Sequence, residues 1–482
     1  MKITKLYIED FQQFKNITFD FTYPKGHVKE GQPLEKVCFI GKNGTGKSTL
    51  LRLIKDYLVN PLRMGNHNSN TTTQLGFEFE FKNKKYFSGK IIGFDGHTTF
   101  YSQPVCFELS SSSLPDYQEI IEDVFKTRDI DLYNRIQQHS IVLHRDDIRS
   151  IQNDSDFMFF NQANKENYLI FSTNDGKERI NHSHVQEVEQ ELTTSANLNM
   201  ALNLFRTMPY YHEISFRDLK NFWSLVIYQV KKTESDKTEF QNKEENINRT
   251  IKEVNEEFEI LNPNFLKILS DCWNVILEIP GIYFDYKNAI IPVQLNENLV
   301  SYFKIKNNDS IINYSLLSTG IKHLLIRLGY LTALFYKKSV KSSIALFDEP
   351  ELGLYPDILY EIIDLYVNIS PSTQYFFATH SPIVAAQFDP AERILLEFDE
   401  NKNIIYSRGQ SPEGDDPNDI LTNDFNVENL LGRVGRIKWD RFLEIKRLLK
   451  SDLNAEEKDK LITEFFEIGN SYKFPVNNET NS

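Results

Sequence analysis

Apolar residues recur at near-alternate positions through the opening of the chain, at Ile3, Leu6 and Ile8 and then at Ile17, Phe19 and Phe21, with Phe11 and Phe14 between them. A period close to two predicts a strand, a short turn and a second strand. Val37, Cys38, Phe39 and Ile40 form an apolar run that ends directly in Gly41, and a helical spacing starts at Lys47 with Leu50, Leu51, Leu53, Ile54 and Leu58. Alternation returns between Leu75 and Gly93 at Phe77, Phe79 and Phe81, which predicts an antiparallel hairpin. Within 110–196 the polar clusters at 111–116 and 173–178 mark surface loops, one buried strand is expected at 141–143, and the remainder carries no assignment.

Between 231 and 257 the chain is charged and polar, without Gly or Pro. Ile247, Ile251, Val254, Phe258 and Leu261 then follow a 4-3-4-3 spacing that fits either a short coiled seam or an ordinary amphipathic helix. Strands are expected within 290–312, a long helix over 319–336, a strand at 344–347, a helix after Pro356 and a strand at 375–378. A polar loop after Gln410 leads to a helical hairpin over 434–468. Strands alternating with helices predict an α/β fold with a parallel or mixed sheet, flanking helices and an antiparallel β lobe. The expected divisions are 1–195, a helical insertion with a short coiled segment over 196–285, 286–410, a helical tail over 411–472, and a disordered end over 473–482.

The chain has 482 residues, 40% hydrophobic and 13% aromatic, enough for a large core. Its three cysteines, Cys38, Cys106 and Cys272, lie far apart and fit neither a zinc site nor a disulfide framework. The opening lacks the apolar run of a signal peptide, and no stretch approaches the roughly 20 apolar residues of a membrane span. A cytoplasmic protein without membrane contact is expected. Net charge is -14, which argues against DNA binding by the whole surface, because phosphate neutralisation carries most such affinity. A local exception runs from 433 to 450, where Arg433, Arg436, Lys438, Arg441, Lys446, Arg447 and Lys450 outnumber Asp440 and Glu444. That segment is either a patch for DNA or an acidic partner, or the solvated face of a helix.

Gly41-Lys-Asn43-Gly44-Thr-Gly46-Lys47-Ser48-Thr49 fits the phosphate-loop pattern in full, with a strand before it and a helix after it. The loop's backbone N–H groups would cradle the phosphates of ATP at a helix N-terminus, Lys47 would reach the β- and γ-phosphates, and Ser48 would ligate Mg²⁺. Asp348 and Glu349 end a buried strand, suited to holding Mg²⁺ through water and to polarising the attacking water. The 75–93 hairpin would cover the nucleotide. Leu317-Ser318-Thr319-Gly320 opens a helix, and Thr379-His380-Ser381-Pro382 closes a strand.

In this order the motifs resemble those of ABC-type ATPases of the SMC, RecF and OLD group, over 1–60 and 310–400. The resemblance makes Ser318 and Gly320 part of the ABC signature. It implies a homodimer with each ATP held between one subunit's phosphate loop and the other's signature, and it makes His380 the switch histidine at the γ-phosphate. Gln138 is the candidate Q-loop residue, with Arg145 and Asp146 as rivals. The opening resembles the group's Asn-Phe-Arg motif, with Asp10 and Gln12 in place of Asn and Arg and with Lys15 and Asn16 retained. The stretch Glu351 to Pro356 is similar to OLD-type and PtuA-type ATPases, with Tyr355 where many have His. No Asp-x-Asp or HNH arrangement follows, so nuclease chemistry is expected in a partner. Similarity to PtuA of Septu and retron antiphage systems implies an HNH nuclease. A PARIS-type ATPase with a Toprim nuclease, and a RecF-like ATPase that binds DNA, are the alternatives.

Overall fold

The computed structural model describes residues 2–59, 75–81, 84–94, 100–109, 117–127, 131, 141–142, 168–172, 211–212, 233–289, 303–312, 316–335, 344–451 and 454–475. The chain forms two compact units, Met1–Pro417 and Asn418–Ser482.

In the first unit the opening alternation becomes β1 (Lys2–Phe11) and β2 (Phe14–Asp20), antiparallel, with Leu6 opposite Phe19 and Ile8 opposite Ile17. The period of two puts these residues on one face, and all four are buried. The expected hairpin forms as β4 (Leu75–Phe81) and β5 (Lys84–Phe94). It belongs to a larger antiparallel sheet in the order β2-β1-β4-β5-β6-β7, completed by β6 (Phe100–Leu109) and β7 (Ile141–Val142).

A second sheet runs β16-β15-β3-β14-β13-β8-β9. It joins β3 (Lys36–Gly41), β8 (Tyr168–Ser172), β9 (Tyr211–His212), β13 (Ile344–Asp348), β14 (Gln374–Ala378), β15 (Arg393–Phe398) and β16 (Ile404–Arg408). Every pairing is parallel except β15 with β16. β13 and β14 are buried throughout, as parallel strands covered on both faces must be. Their apolar runs are therefore continuous rather than alternating. The sheet spans the expected limits at 195 and 285, because β8 and β13 are neighbours and β9 lies beyond 195.

One apolar core joins the two sheets and α1 (Lys47–Val59), through Phe19, Phe21, Phe39, Leu50, Ile54, Phe77, Leu346 and Phe376 among others. Gln374 pins the sheets together from inside it. The fully buried carboxamide donates to Ile3 O and Leu34 O (2.9 and 3.0 Å) and accepts from Ile3 N (2.7 Å). These three bonds offset the cost of burying an amide.

α2 (Tyr117–Thr127) packs on β1 and β2. Thr250 caps α3 (Ile251–Leu261) with a capping box to Glu253. The 4-3-4-3 seam is accordingly shorter than its spacing suggests. Ile247 lies before the cap, and only Val254 and Phe258 are buried, while Ile247, Ile251 and Leu261 are exposed. α4 (Phe265–Glu278) packs Trp273 against Phe284 and Phe303 of a small antiparallel sheet. That sheet comprises β10 (Ile282–Phe284), β11 (Phe303–Ile305) and β12 (Ile311–Ile312). Two further helices follow: α5 (Thr319–Phe335) packs on α4 and on α6 (Ile362–Ile369), and α6 packs Tyr366 against Phe347 of β13 and Phe377 of β14.

The second unit is the expected helical hairpin, α7 (Arg433–Leu448) and α8 (Ala455–Tyr472), the latter capped by Asn454. Its core is Phe442, Ile445, Ile468 and Phe474. Phe474 meets Trp439 edge-on at 4.8 Å, so packing extends past the expected limit at 473. One aromatic side chain outweighs the polar residues around it. No helix among the described residues is long and apolar enough to cross a membrane.

Candidate nucleotide-binding site

Parallel β3, β14 and β13 stand side by side, so the turns leaving their C-terminal ends open at one edge of the sheet. Ligands of α/β sheets bind at that edge. The order β3-β14-β13 sets the end of β3 beside two strands that lie far downstream in the chain.

After β3, Gly41 begins the loop, Asn43 and Gly44 lie exposed in it, and Ser48 and Thr49 follow Lys47 into α1. Gly46 must be glycine on two grounds. Its φ of +97° disfavours any side chain, and a Cβ there would come within 2.2 Å of Gln13 Nε2 and 2.5 Å of Phe14 Cζ. The β1–β2 turn thus presses on the loop, and Gln13 Nε2 also donates to Gly44 O (3.4 Å). Sequence reasoning passed over Gln13. The departure at Gln12 drew attention to the right turn but to the neighbouring residue, because the turn geometry decides which of the two side chains faces the loop.

Lys47 is only 6% exposed. Its ammonium donates to Gly41 O (2.8 Å) and Lys42 O (3.4 Å), so the cation sits inside the loop. Burial pulls its pKa below the ordinary value, while Asp348, Glu349 and Glu351 pull the other way. A concentrated acidic edge therefore faces this one lysine.

Asp348 is buried at the end of β13, and its carboxylate accepts a hydrogen bond from the Ser48 hydroxyl. Burial raises its pKa and Ser48 lowers it, with Glu349 also raising it and Lys47 and His380 lowering it. A hydroxyl and a carboxylate in contact form the hard oxygen donor pair that Mg²⁺ takes. The residues present therefore fit the cation that the motifs imply. Glu349 follows in the left-handed region, at φ +49°. Such a backbone costs a non-glycine residue roughly 1–3 kcal/mol. It is held by the bond from Glu349 N to Ala378 O on β14 (2.8 Å).

His380 is exposed in the turn after β14. Burial first, and then the Lys47 charge, lowers its pKa against the opposing pull of Asp348. The shift favours the neutral imidazole. Glu351, quoted in the sequence only as part of a longer stretch, reaches the same turn. Its Oε1 accepts from Thr379 Oγ1 (2.7 Å) and His380 N (2.9 Å).

Ser318 caps α5, its Oγ accepting from Ile321 N (3.3 Å). Gly320 is another glycine that the packing demands. A Cβ there would lie 2.0 Å from Gly353 O in the turn after Glu349. The start of α5 is therefore in backbone contact with the loop that follows the Asp348–Glu349 pair. Gln138, Arg145 and Asp146 lie outside the described residues.

The basic segment of the second unit does not line up on one face. At 100° per residue, Arg433, Arg436 and Arg447 lie opposite the buried Phe442 and Ile445, interleaved with Asp440 and Glu444. Lys438 falls angularly between Ile445 and Phe442, Lys446 lies to one side of them, and Lys450 follows the helix. Arg441 is committed to Glu464 by two bonds (2.9 and 2.8 Å) and to Glu444 by a third (2.8 Å).

Fold and site together define an α/β P-loop ATPase domain. A family model described as an AAA ATPase domain matches residues 1–385 of the 482, and the chain belongs to that family. Comparison with curated proteins gives no match. Among solved structures, an SMC head bound to the C-terminal winged-helix domain of ScpA is 11% identical, covering 85% of this chain and 98% of that one at a TM-score of 0.40. The SMC head domain from Thermotoga maritima is 14% identical, covering 85% and 100%, with a TM-score of 0.37. An SMC head with an extended coiled coil, bound to a ScpA domain derived from Pyrococcus furiosus, is 13% identical, covering 84% and 96% at 0.34. Likenesses this distant assign neither partner nor activity.

Proposed function

We propose that the chain binds and hydrolyses ATP between two copies of itself, and that the ATP state controls an associated nuclease, of HNH type, in antiphage defence. Lys47 and the loop amides would bind the β- and γ-phosphates, with Ser48 and Asp348 holding Mg²⁺. Glu349 would orient and deprotonate the attacking water, and neutral His380 would donate to a γ-phosphate oxygen. Bound Mg²⁺ would offset charge on the transferring phosphoryl group. Ser318 and the first amides of α5 would meet the γ-phosphate of the other copy.

The observation that carries the hydrolytic part is the contact of Ser48 with Asp348 beside Lys47 and Glu349. The shared-site part is supported by what surrounds Ser318. Leu316 (76% exposed), Leu352 (48%) and Tyr355 (67%) flank the contact of Gly320 with Gly353. Apolar side chains left open beside a polar phosphate-binding turn suit a surface that a partner covers. The nuclease part rests on the sequence resemblance alone.

Sedimentation of the Glu349→Gln chain checks the shared site. The expected result is a monomer without nucleotide, a dimer with ATP and Mg²⁺, and a monomer again when Ser318→Arg is added. A mass that ignores ATP would sink the proposal. Stimulation of hydrolysis by added DNA would instead favour the RecF-like reading.

A further inference from the structure

We propose that Glu351 is a positioning residue for hydrolysis: its carboxylate clamps the turn bearing His380 to the turn bearing Glu349, and so fixes where the imidazole stands. The inference deepens the proposed function and rests on His380 acting at the γ-phosphate.

Two links cross from the end of β13 to the end of β14. One is the backbone bond from Glu349 N to Ala378 O (2.8 Å). The other is the Glu351 carboxylate, which takes both the Thr379 hydroxyl and the His380 amide on a single oxygen. Thr379 Oγ1 in turn accepts from Ser381 N (2.9 Å), and Ser381 Oγ accepts from Val384 N (3.3 Å) at the start of the next helix. Breaking the clamp therefore loosens the whole His380 turn and leaves Ala378 inside β14. Within its own loop Glu351 is equally fixed. Its carbonyl accepts from Leu354 N (3.0 Å), and Gly353 between them abuts Gly320.

The second carboxylate oxygen, Oε2, is buried and has no hydrogen-bond partner among the described residues. Burial raises the pKa of Glu351. Only Oε1 is used, and only as an acceptor. A glutamine supplies the same acceptor, so charge is dispensable and geometry is not.

Fastening a loop and positioning a histidine make different predictions. A structural fastener protects stability, and its loss adds to the loss of His380. A positioning residue acts through His380, so its removal has no effect once His380 is gone.

The test is steady-state hydrolysis by the full chain carrying Glu351→Ala, Glu351→Gln, His380→Ala or the double substitution Glu351→Ala/His380→Ala. Misplacement of a reacting group by about 1 Å costs on the order of 100-fold. Glu351→Ala should accordingly lower kcat by roughly 10–100-fold with KM for ATP within about threefold. Glu351→Gln should stay within about threefold of wild type in kcat, and the double variant should be no slower than His380→Ala. Wild-type kcat in Glu351→Ala alongside a slow His380→Ala overturns the inference and leaves the His380 reading intact. Multiplying defects in the double variant overturn it as well. A His380→Ala chain at full rate removes the His380 reading, and the inference falls with it. Should Glu351→Ala fail to fold by its melting curve, Thr379→Val removes one donor and spares the carboxylate. A smaller kcat loss, absent on the His380→Ala background, is then expected, and an unchanged kcat overturns the proposal.

Discussion

Lys47→Ala is expected to weaken ATP binding by roughly 100- to 10,000-fold, on the following grounds. Hydrogen bonds to charged groups are each worth about 1.5–3 kcal/mol, and the side chain would make two, to the β- and γ-phosphates. About 1.4 kcal/mol corresponds to a factor of ten. Electrostatics acts in the same direction. Asp348, Glu349 and Glu351 all bear on Lys47, so its removal leaves a polyphosphate facing carboxylates without that counter-charge. The fold should survive. Alanine is a good helix former at the start of α1, and the bonds lost are those of the ammonium to Gly41 O and Lys42 O. Calorimetric titration with ATP and Mg²⁺ measures the loss, and a change below about threefold would remove Lys47 from the site.

Glu349→Gln should reverse the pattern, keeping ATP and losing hydrolysis. Glutamine has the same shape, so it can hold the left-handed backbone at φ +49° and the bond to Ala378 O. It cannot accept the proton of the attacking water. A general base contributes about 100- to 10,000-fold, and phosphate release should fall by that factor. ATP affinity should hold or rise, since one negative charge beside the γ-phosphate is gone. Phosphate release at the wild-type rate would assign the base elsewhere.

Much of the site was legible in the sequence because its pieces are local. The phosphate loop fills an unbroken stretch from Gly41 to Thr49, and Asp348–Glu349 closes a short apolar run that forms the buried β13. What stayed hidden depends on parallel pairing at long range. The register of Asp348 with Ala378 brings Glu351 under the His380 turn, and neither periodicity nor composition encodes that meeting. Gln13 is a similar case, since only the fold brings the β1–β2 turn onto Gly46. The coiled seam shows the converse limit. Its spacing ran on through Ile247, but the cap at Thr250 starts the helix later and leaves two buried positions. The basic residues of 433–450 read in the sequence either as a patch or as a solvated helix face, and helix geometry and Glu464 distribute those of α7 around it.

In the proposed mechanism each ATP is hydrolysed by groups from two chains. Specific activity per chain, measured at saturating ATP and Mg²⁺ while the protein is diluted, tests it most directly. Activity is expected to fall toward zero as sedimentation reports dissociation to monomer, and Ser318→Arg is expected to be inactive even when concentrated. Full specific activity from chains shown to be monomeric would contradict it.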